Sequence, residues 1–254
     1  MTSSSPLIGI LGGMGPQAGL DMADKIIALT RTECDQDHLP FVLLSFPATV
    51  PDRSAFLLGE TETNPAYAIA DQFETMAKLG VSVAVMACNT AHASPIFDVA
   101  VELLRKKGVN LRILHLVNET VSYIRERHVA ARRIGILGTR GTYQARLYDR
   151  AVEAAGLEVI LPDKNVRENN VHAALYSPIF GIKTHPDGVR KEARMHIEKA
   201  IAHVRSRGAE AIILGCTELP LAIKADQIDG VPILDPARVM AEKLIRVTYP
   251  DRLA

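Results

Sequence analysis

Eight short apolar runs with little polar alternation recur along the chain, at 7–11, 41–46, 81–87, 111–115, 133–137, 157–160, 210–215 and 231–234. Runs of that length without a period of two are the pattern of strands covered on both faces, as in parallel sheets. Between them lie segments whose apolar residues recur at helical spacing, beginning with Leu20, Ile26, Ile27 and Leu29. These segments predict helices over 16–33, 65–79, 94–107, 117–128, 142–155, 167–180 and 187–207, with a last one from Pro236. Proline or a small polar residue opens several, at Pro16, Asn64-Pro65, Ser94-Pro95 and Asp235-Pro236, and glycine closes others, at Gly80, Gly108 and Gly208. A long irregular stretch runs Pro47-Ala-Thr-Val-Pro-Asp-Arg53-Ser-Ala, and long loops in compact domains are often functional. Strand alternating with helix throughout predicts a parallel α/β protein.

The pattern is written twice. Ile8-Gly-Ile-Leu-Gly12 returns as Ile134-Gly-Ile-Leu-Gly138, 126 positions on, and Cys88 returns as Cys216, 128 positions on. Two similar Rossmann-like lobes follow, each a parallel sheet flanked by helices. The first is expected over 1–116, with a C-terminal helix from about 225–254 packing back on it, and the second over 117–224. No linker-like segment separates them, so a ligand is expected in the cleft between the lobes.

Composition narrows the function classes. Hydrophobic residues make up 48% and charged residues 23% of 254, the balance of an ordinary globular protein. Lys plus Arg equals Asp plus Glu at 29 each, so no overall field favours nucleic acid or an anionic membrane. Neither a signal peptide at Met1-Thr-Ser-Ser-Ser-Pro6 nor a bilayer-length apolar run is evident. Three cysteines without short spacings argue against a disulfide framework and for a reducing cytoplasm.

The candidate chemistry sits where strands end. Cys34 lies in a polar stretch and reads as an ordinary small side chain. Cys88 and Cys216 each close an apolar strand and precede polar residues, Asn89-Thr90 and Thr217-Glu218, whose N–H groups would open a turn. Open α/β sheets bind ligands at that end, and such N–H groups are expected to lower a thiol pKa. Two thiols on opposite sides of one bound carbon suit racemisation. One thiolate removes a Cα proton, the opposite thiol returns a proton to the other face, and each acts as a positioned general base or acid. A redox pair would normally use adjacent C-x-x-C, and a tetrahedral zinc site needs more ligands at close spacing. Gly13-Met-Gly-Pro-Gln-Ala18 matches a dinucleotide fingerprint formally, yet the second strand ends at Ser45-Phe46-Pro47 with no acid for a ribose. Arg53 reads either as a solvated loop charge or as a fork for a carboxylate. Lys183 could meet a second carboxylate. His92 reads as a satisfied neighbour of Cys88 or as a proton relay, and Glu218 as a turn cap or as a partner for a substrate amino group.

Together, Ile-Gly-Ile-Leu-Gly-Gly-Met-Gly-Pro, Cys88-Asn-Thr-Ala-His and Gly215-Cys-Thr-Glu-Leu resemble the aspartate/glutamate racemase family, nearest its aspartate racemase branch. Glutamate racemases typically carry His-Tyr where this chain has Glu218-Leu219. The resemblance implies a cofactor-independent racemase, often a homodimer, with its site between two α/β lobes and aspartate as the first expected substrate. A glutamate or broad-specificity racemase is the alternative, and a non-catalytic binding protein for acidic amino acids is the reading from another class. Carried over by residue, it makes Cys88 and Cys216 the two catalytic acid/bases. Asp52, Arg53, Ser54, Asn89, Thr90 and Ala91 would hold the substrate, with Met14 and Gln17 lining the cleft. Thr139, Thr142 and Thr217 would be their counterparts in the second lobe, with Glu218 near the amino group and Lys183 on a carboxylate.

Overall fold

The computed structural model describes residues 6–254; residues 1–5, which carry most of the amino-terminal stretch read above, lie outside the described residues. The chain divides into two compact units, one running through Glu119 and taking in Ala237–Ala254, the other Thr120–Pro236. Among the described residues no helix is long and apolar enough to cross a membrane.

In the first unit the order is β1 (Leu7–Leu11), α1 (Gln17–Leu29), β2 (Phe41–Leu44), α2 (Arg53–Leu58), α3 (Ala66–Lys78), β3 (Val81–Met86), α4 (Ser94–Lys106) and β4 (Arg112–Leu114). The helix α5 (Leu116–Arg127) then carries the chain onward. The four strands form one parallel sheet in the order β2-β1-β3-β4. Strand alternation sends Ile8, Ile10, Val83 and Val85 into a core with Met22 and Ile26 of α1, and Ala84 and Met86 into another with Ile69, Phe73 and Ile96 of α3 and α4. Each such large side chain, fully removed from water, contributes on the order of 1.5–3 kcal/mol.

The second unit contains β5 (Arg133–Gly138), α6 (Arg140–Gln144), α7 (Leu147–Ala154), β6 (Glu158–Ile160), α8 (Lys164–Val166) and α9 (Ala173–Tyr176). It continues with α10 (Lys191–Ser206), β7 (Ala211–Gly215), α11 (Leu219–Ala222), β8 (Gln227–Ile228) and β9 (Val231–Leu234). The sheet order is β6-β5-β7-β9-β8, so its first four strands repeat the topology of the first sheet. One face packs Leu137, Ile212 and Leu214 on Ile197, Ile201 and Val204 of α10, while on β7 the intervening Ala211 and Ile213 point to the other face.

Several elements differ from the periodicity reading, each because of a contact distant in sequence or a local break. The first helix stops at Leu29 rather than at 33, because Thr30 bridges to Leu253 and the Arg31 N–H donates to the Arg252 carbonyl at 2.7 Å. The expected helix to Ala155 is broken into α6 and α7 at Arg146, which takes a positive φ of 49°. The expected helix to Phe180 begins at Lys164, passes through one π-helical segment (Arg167–His172) and ends at Tyr176, before Pro178. The region from 225 is not wholly helical. It forms the antiparallel β8–β9 pair at the edge of the second sheet, followed by the helix α12 (Pro236–Thr248), which packs Ala237, Met240, Ala241, Leu244 and Ile245 into the core with Ile8 and Ile10, and a 3₁₀ turn at Pro250–Arg252.

Candidate active site

In each sheet the two central strands send their following helices to opposite faces, and the crevice at such a switch point is where open α/β sheets hold ligands. In the first unit those strands are β1 and β3. The loop after β1, Gly12 to Pro16, turns directly into α1 at close quarters. A Cβ on Gly13 would lie 2.3 Å from the Gly15 carbonyl oxygen, and one on Gly19 2.7 Å from Gly12 Cα, so only glycine fits either position. Beside it, the Ala87 N–H donates to the Leu11 carbonyl at 2.9 Å, extending the β1–β3 pairing to the threshold of Cys88. Cys88 is half-buried, while Asn89, Thr90 and Ala91 behind it are buried in a 3₁₀ turn.

The long loop after β2 is more ordered than its sequence suggests. Asp52 caps α2 by accepting the Ala55 N–H at 2.7 Å, which fixes where Arg53 leaves the backbone. Arg53 donates to the Met14 carbonyl at 2.8 Å and to the Pro51 carbonyl at 3.1 Å. It therefore ties its own loop to the glycine loop, and its buried Nε has no partner among the described residues. Met14 and Ser54 are half-buried, whereas Gln17 and Asp52 are exposed. Of the predicted residues in this unit, the structure thus joins Met14 to Arg53, while Asp52 acts as a helix cap.

In the second unit the corresponding strands are β5 and β7, with Gly138 opposite Gly215 at their carboxyl ends. Thr139 caps α6, its hydroxyl accepting the Thr142 N–H at 3.1 Å, and the two threonine hydroxyls lie 3.0 Å apart. After β7, Cys216, Thr217 and Glu218 are all buried. The Cys216 thiol donates to Glu218 Oε2 at 3.0 Å, and the Thr217 hydroxyl donates to the same oxygen at 3.2 Å. The other oxygen, Oε1, accepts from Lys183 Nζ. Lys183 is brought there by the turn after α9, held by the Ile182 and Lys183 N–H groups on the Ala174 and Leu175 carbonyls at 2.9 and 3.0 Å.

Residues 11–244 match the Asp/Glu/hydantoin racemase family. The chain belongs to that family and is an enzyme of the isomerase class. It is 28% identical over 244 residues to a broad-specificity amino-acid racemase of Bacillus subtilis, with 94% of this chain and 96% of that one covered. Its fold matches the aspartate racemase of Picrophilus torridus with a TM-score of 0.77 at 27% identity, over 96% of this chain and 94% of the other. A glutamate racemase of Francisella tularensis in complex with D-glutamate shares the fold at a TM-score of 0.65 and 15% identity, over 97% and 82%.

Within this racemase-family fold the two cysteines have different surroundings, and one expectation is overturned. Cys216 was expected to have a lowered pKa from nearby N–H groups. The Glu218 N–H does act in that direction, as does Lys183, but burial and next the Glu218 carboxylate outweigh both and push the thiol well above its usual value. The α11 helix has only four residues, too short a dipole to offset a carboxylate in contact. Burial opposes charge on Glu218, yet Lys183 overcomes it and the carboxyl lies below its ordinary value. On Lys183 burial likewise opposes charge, and the Glu218 carboxylate outweighs it, so the ammonium is held above its usual value. Glu218, expected as a cap or an amino-group partner, makes no cap hydrogen bond and is committed to Cys216, Thr217 and Lys183.

Behind Cys88 lies a cluster that the sequence only hinted at. His92 is 1% exposed and its Nδ1–H donates to the Cys88 carbonyl at 2.8 Å. Its ring stacks on Phe97 at 5.2 Å and meets His115 edge-on at 4.9 Å. Burial, and next His115, push the His92 pKa down to about 3, so the ring is neutral at working pH; only Nδ1 has a partner, and the buried Nε2 has none among the described residues. Tyr143 was missed altogether. Its hydroxyl accepts the Gly138 N–H at 2.9 Å, bracing the end of β5, and nothing in its local sequence marked it.

Proposed function

We propose that this enzyme racemises an amino acid, with aspartate the leading substrate, using Cys88 and Cys216 as the two acid/base groups. The observation that carries the reading is topological. Cys88 lies two residues beyond β3 and Cys216 immediately beyond β7, each at the switch point of its own sheet, and the first four strands of the second sheet repeat the order of the first. In this reading the thiols address opposite faces of Cα, and one removes its proton while the other supplies the replacement. The Arg53 guanidinium, already fixed by two carbonyls, would present its remaining N–H donors to a substrate carboxylate. Thr90, Thr139, Thr142 and Thr217 would add neutral hydroxyls, and no nucleotide or pyridoxal group enters the reaction.

A broad-specificity enzyme is the second reading, and Lys183 favours it. Its ammonium is already neutralised by Glu218, so it does not offer an uncommitted charge to a side-chain carboxylate. The Bacillus relative named for broad specificity points the same way. The test is incubation of L-aspartate, L-glutamate and several neutral L-amino acids in deuterium oxide without added cofactor, followed by chiral chromatography and mass spectrometry. Formation of the D-isomer carrying deuterium at Cα is expected, for aspartate first. Absence of exchange with every amino acid, or racemisation at the parent rate by either Cys88→Ala or Cys216→Ala, would remove the two-thiol reading.

A further inference from the structure

A buried carboxylate that accepts a thiol hydrogen is costly unless it is paired, and this one is paired on both oxygens. Glu218 has a side chain 5% exposed, with Cys216 Sγ and Thr217 Oγ1 donating to one oxygen and Lys183 Nζ to the other. The spacing Cys216-Thr-Glu218 places the carboxylate two residues from the sulfur, on the short turn that follows β7. We propose that Glu218 is the positioning residue and proton partner of Cys216, holding the Sγ proton in the free enzyme and accepting it when Cys216 must act as the base. The inference rests on the two-thiol reading and deepens it.

The proton balance is simple. In the direction in which Cys216 is the acid, the Cys88 thiolate takes the Cα proton, the Cys216 thiol donates to the carbanion, and the Glu218 carboxylic acid returns its proton along the hydrogen bond to the thiolate so formed. For the reverse reaction the proton moves along the hydrogen bond from Sγ to Oε2. The thiolate so formed faces a neutral carboxylic acid and the Lys183 ammonium, and it can take the Cα proton. The Cys88 thiol then supplies the opposite face. Lys183 stays charged throughout and stabilises whichever partner carries the negative charge. The other titratable groups near Cys216 do not compete for the proton. Burial drives the phenols of Tyr143 on α6 and Tyr148 on α7 upward, so both remain neutral, and Tyr176 at the end of α9 lies with its ring centre 5.8 Å from Lys183 Nζ. By contrast, no carboxylate hydrogen bond to the Cys88 thiol is present among the described residues, so the two thiols start from unlike states.

The experiment separates this inference from the two-thiol reading. With Cys34 and Cys88 changed to Ser, only Cys216 remains, and its alkylation rate by iodoacetamide is followed against pH. Glu218→Gln, which can accept a hydrogen bond but carries no charge and takes no proton, should lower the apparent thiol pKa by at least one unit, a tenfold gain in thiolate at fixed pH. Glu218→Asp should stay close to the parent, and it serves as an intermediate case where Glu218→Gln fails to fold. With all cysteines present, Glu218→Gln should cut kcat/KM by about 10²-fold, the usual scale for a proton-transfer partner. The loss must be equal for both enantiomers, because the equilibrium constant between mirror images is one. Glu218→Asp should recover part of the activity, and the pH profile should shift with the thiol. An apparent pKa unmoved or raised in Glu218→Gln, in a parent that racemises, would overturn the inference. A parent that racemises nothing would instead overturn the two-thiol reading, leaving the alkylation shift to report on the Cys216–Glu218 contact alone.

Discussion

Changing Lys183 to Met removes the only cation in contact with the Glu218 carboxylate among the described residues and keeps most of the side-chain volume. The structure then predicts a loss of stability that grows with pH. Both partners are largely buried, with side chains 19% and 5% exposed, so the pair is little screened by solvent. Breaking a buried pair by deleting one partner costs about 3–5 kcal/mol. Glu218 can escape part of that cost by taking a proton, which lifts its folded pKa by about 2–3.5 units above an unfolded value of roughly 4.3. In the parent the folded pKa is lowered, so Glu218 contributes stability above the unfolded value and loses it only as pH falls through the folded one. In the variant the folded pKa is raised, so stability is retained in acid and lost as pH rises from about 4.3 towards the new value. The gap between the two proteins should therefore widen by about 1.4 kcal/mol per pH unit across that window, or about 2.7 kcal/mol from pH 5 to pH 7 if the variant's carboxyl still holds its proton. For a chain of this length that corresponds to a difference in Tm growing by about 5–11 °C. Thermal unfolding of the parent, Lys183→Met and the double variant Lys183→Met/Glu218→Gln at pH 5, 6, 7 and 8 measures it. The double variant buries no charge and should recover most of the loss with a flat pH dependence. A gap independent of pH, or widest at pH 5, would refute the argument.

Two further predictions concern the first unit. Replacing His92 by Phe keeps a ring against Phe97 but deprives the Cys88 carbonyl of its donor, and should destabilise by about 1–3 kcal/mol at neutral pH. The His92 pKa is depressed to about 3, so the parent loses stability as pH falls from about 6.5 towards 3, and urea titrations should show that this acid loss is shallower in the variant. Gly19→Ala would place a Cβ 2.7 Å from Gly12 Cα and 2.9 Å from Leu43 Cδ1, an overpacking of about 1–3 kcal/mol that displaces the glycine loop. A lower Tm together with reduced racemisation is expected, and an unchanged Tm would show that the helix can back away at no cost.

Local pattern was enough to place what it governs. The strand ending at Cys88 and the one ending at Cys216 are continuous apolar runs, visible because a buried parallel strand needs apolar residues on both faces. The starts at Asn64-Pro65 and Asp235-Pro236 and the stops at Gly80 and Gly108 follow from backbone chemistry within a turn or two. The break at Arg146 and the two-residue strand β8 escaped it, because neither a single positive φ nor a short edge pairing leaves a period to read.

By itself, then, the order of residues determined the parallel α/β plan, its duplication and the two strand ends that carry sulfur, since each depends on neighbours a few positions away. The state of those sulfurs was decided elsewhere. Lys183 lies 35 positions from Glu218 in the chain, and only the folded turn after α9 brings its ammonium onto that carboxylate. Charge and burial around Cys216 are sums over groups gathered from separate elements. The same short run of letters would read alike with that thiol acidic or, as folding makes it here, reluctant to ionise.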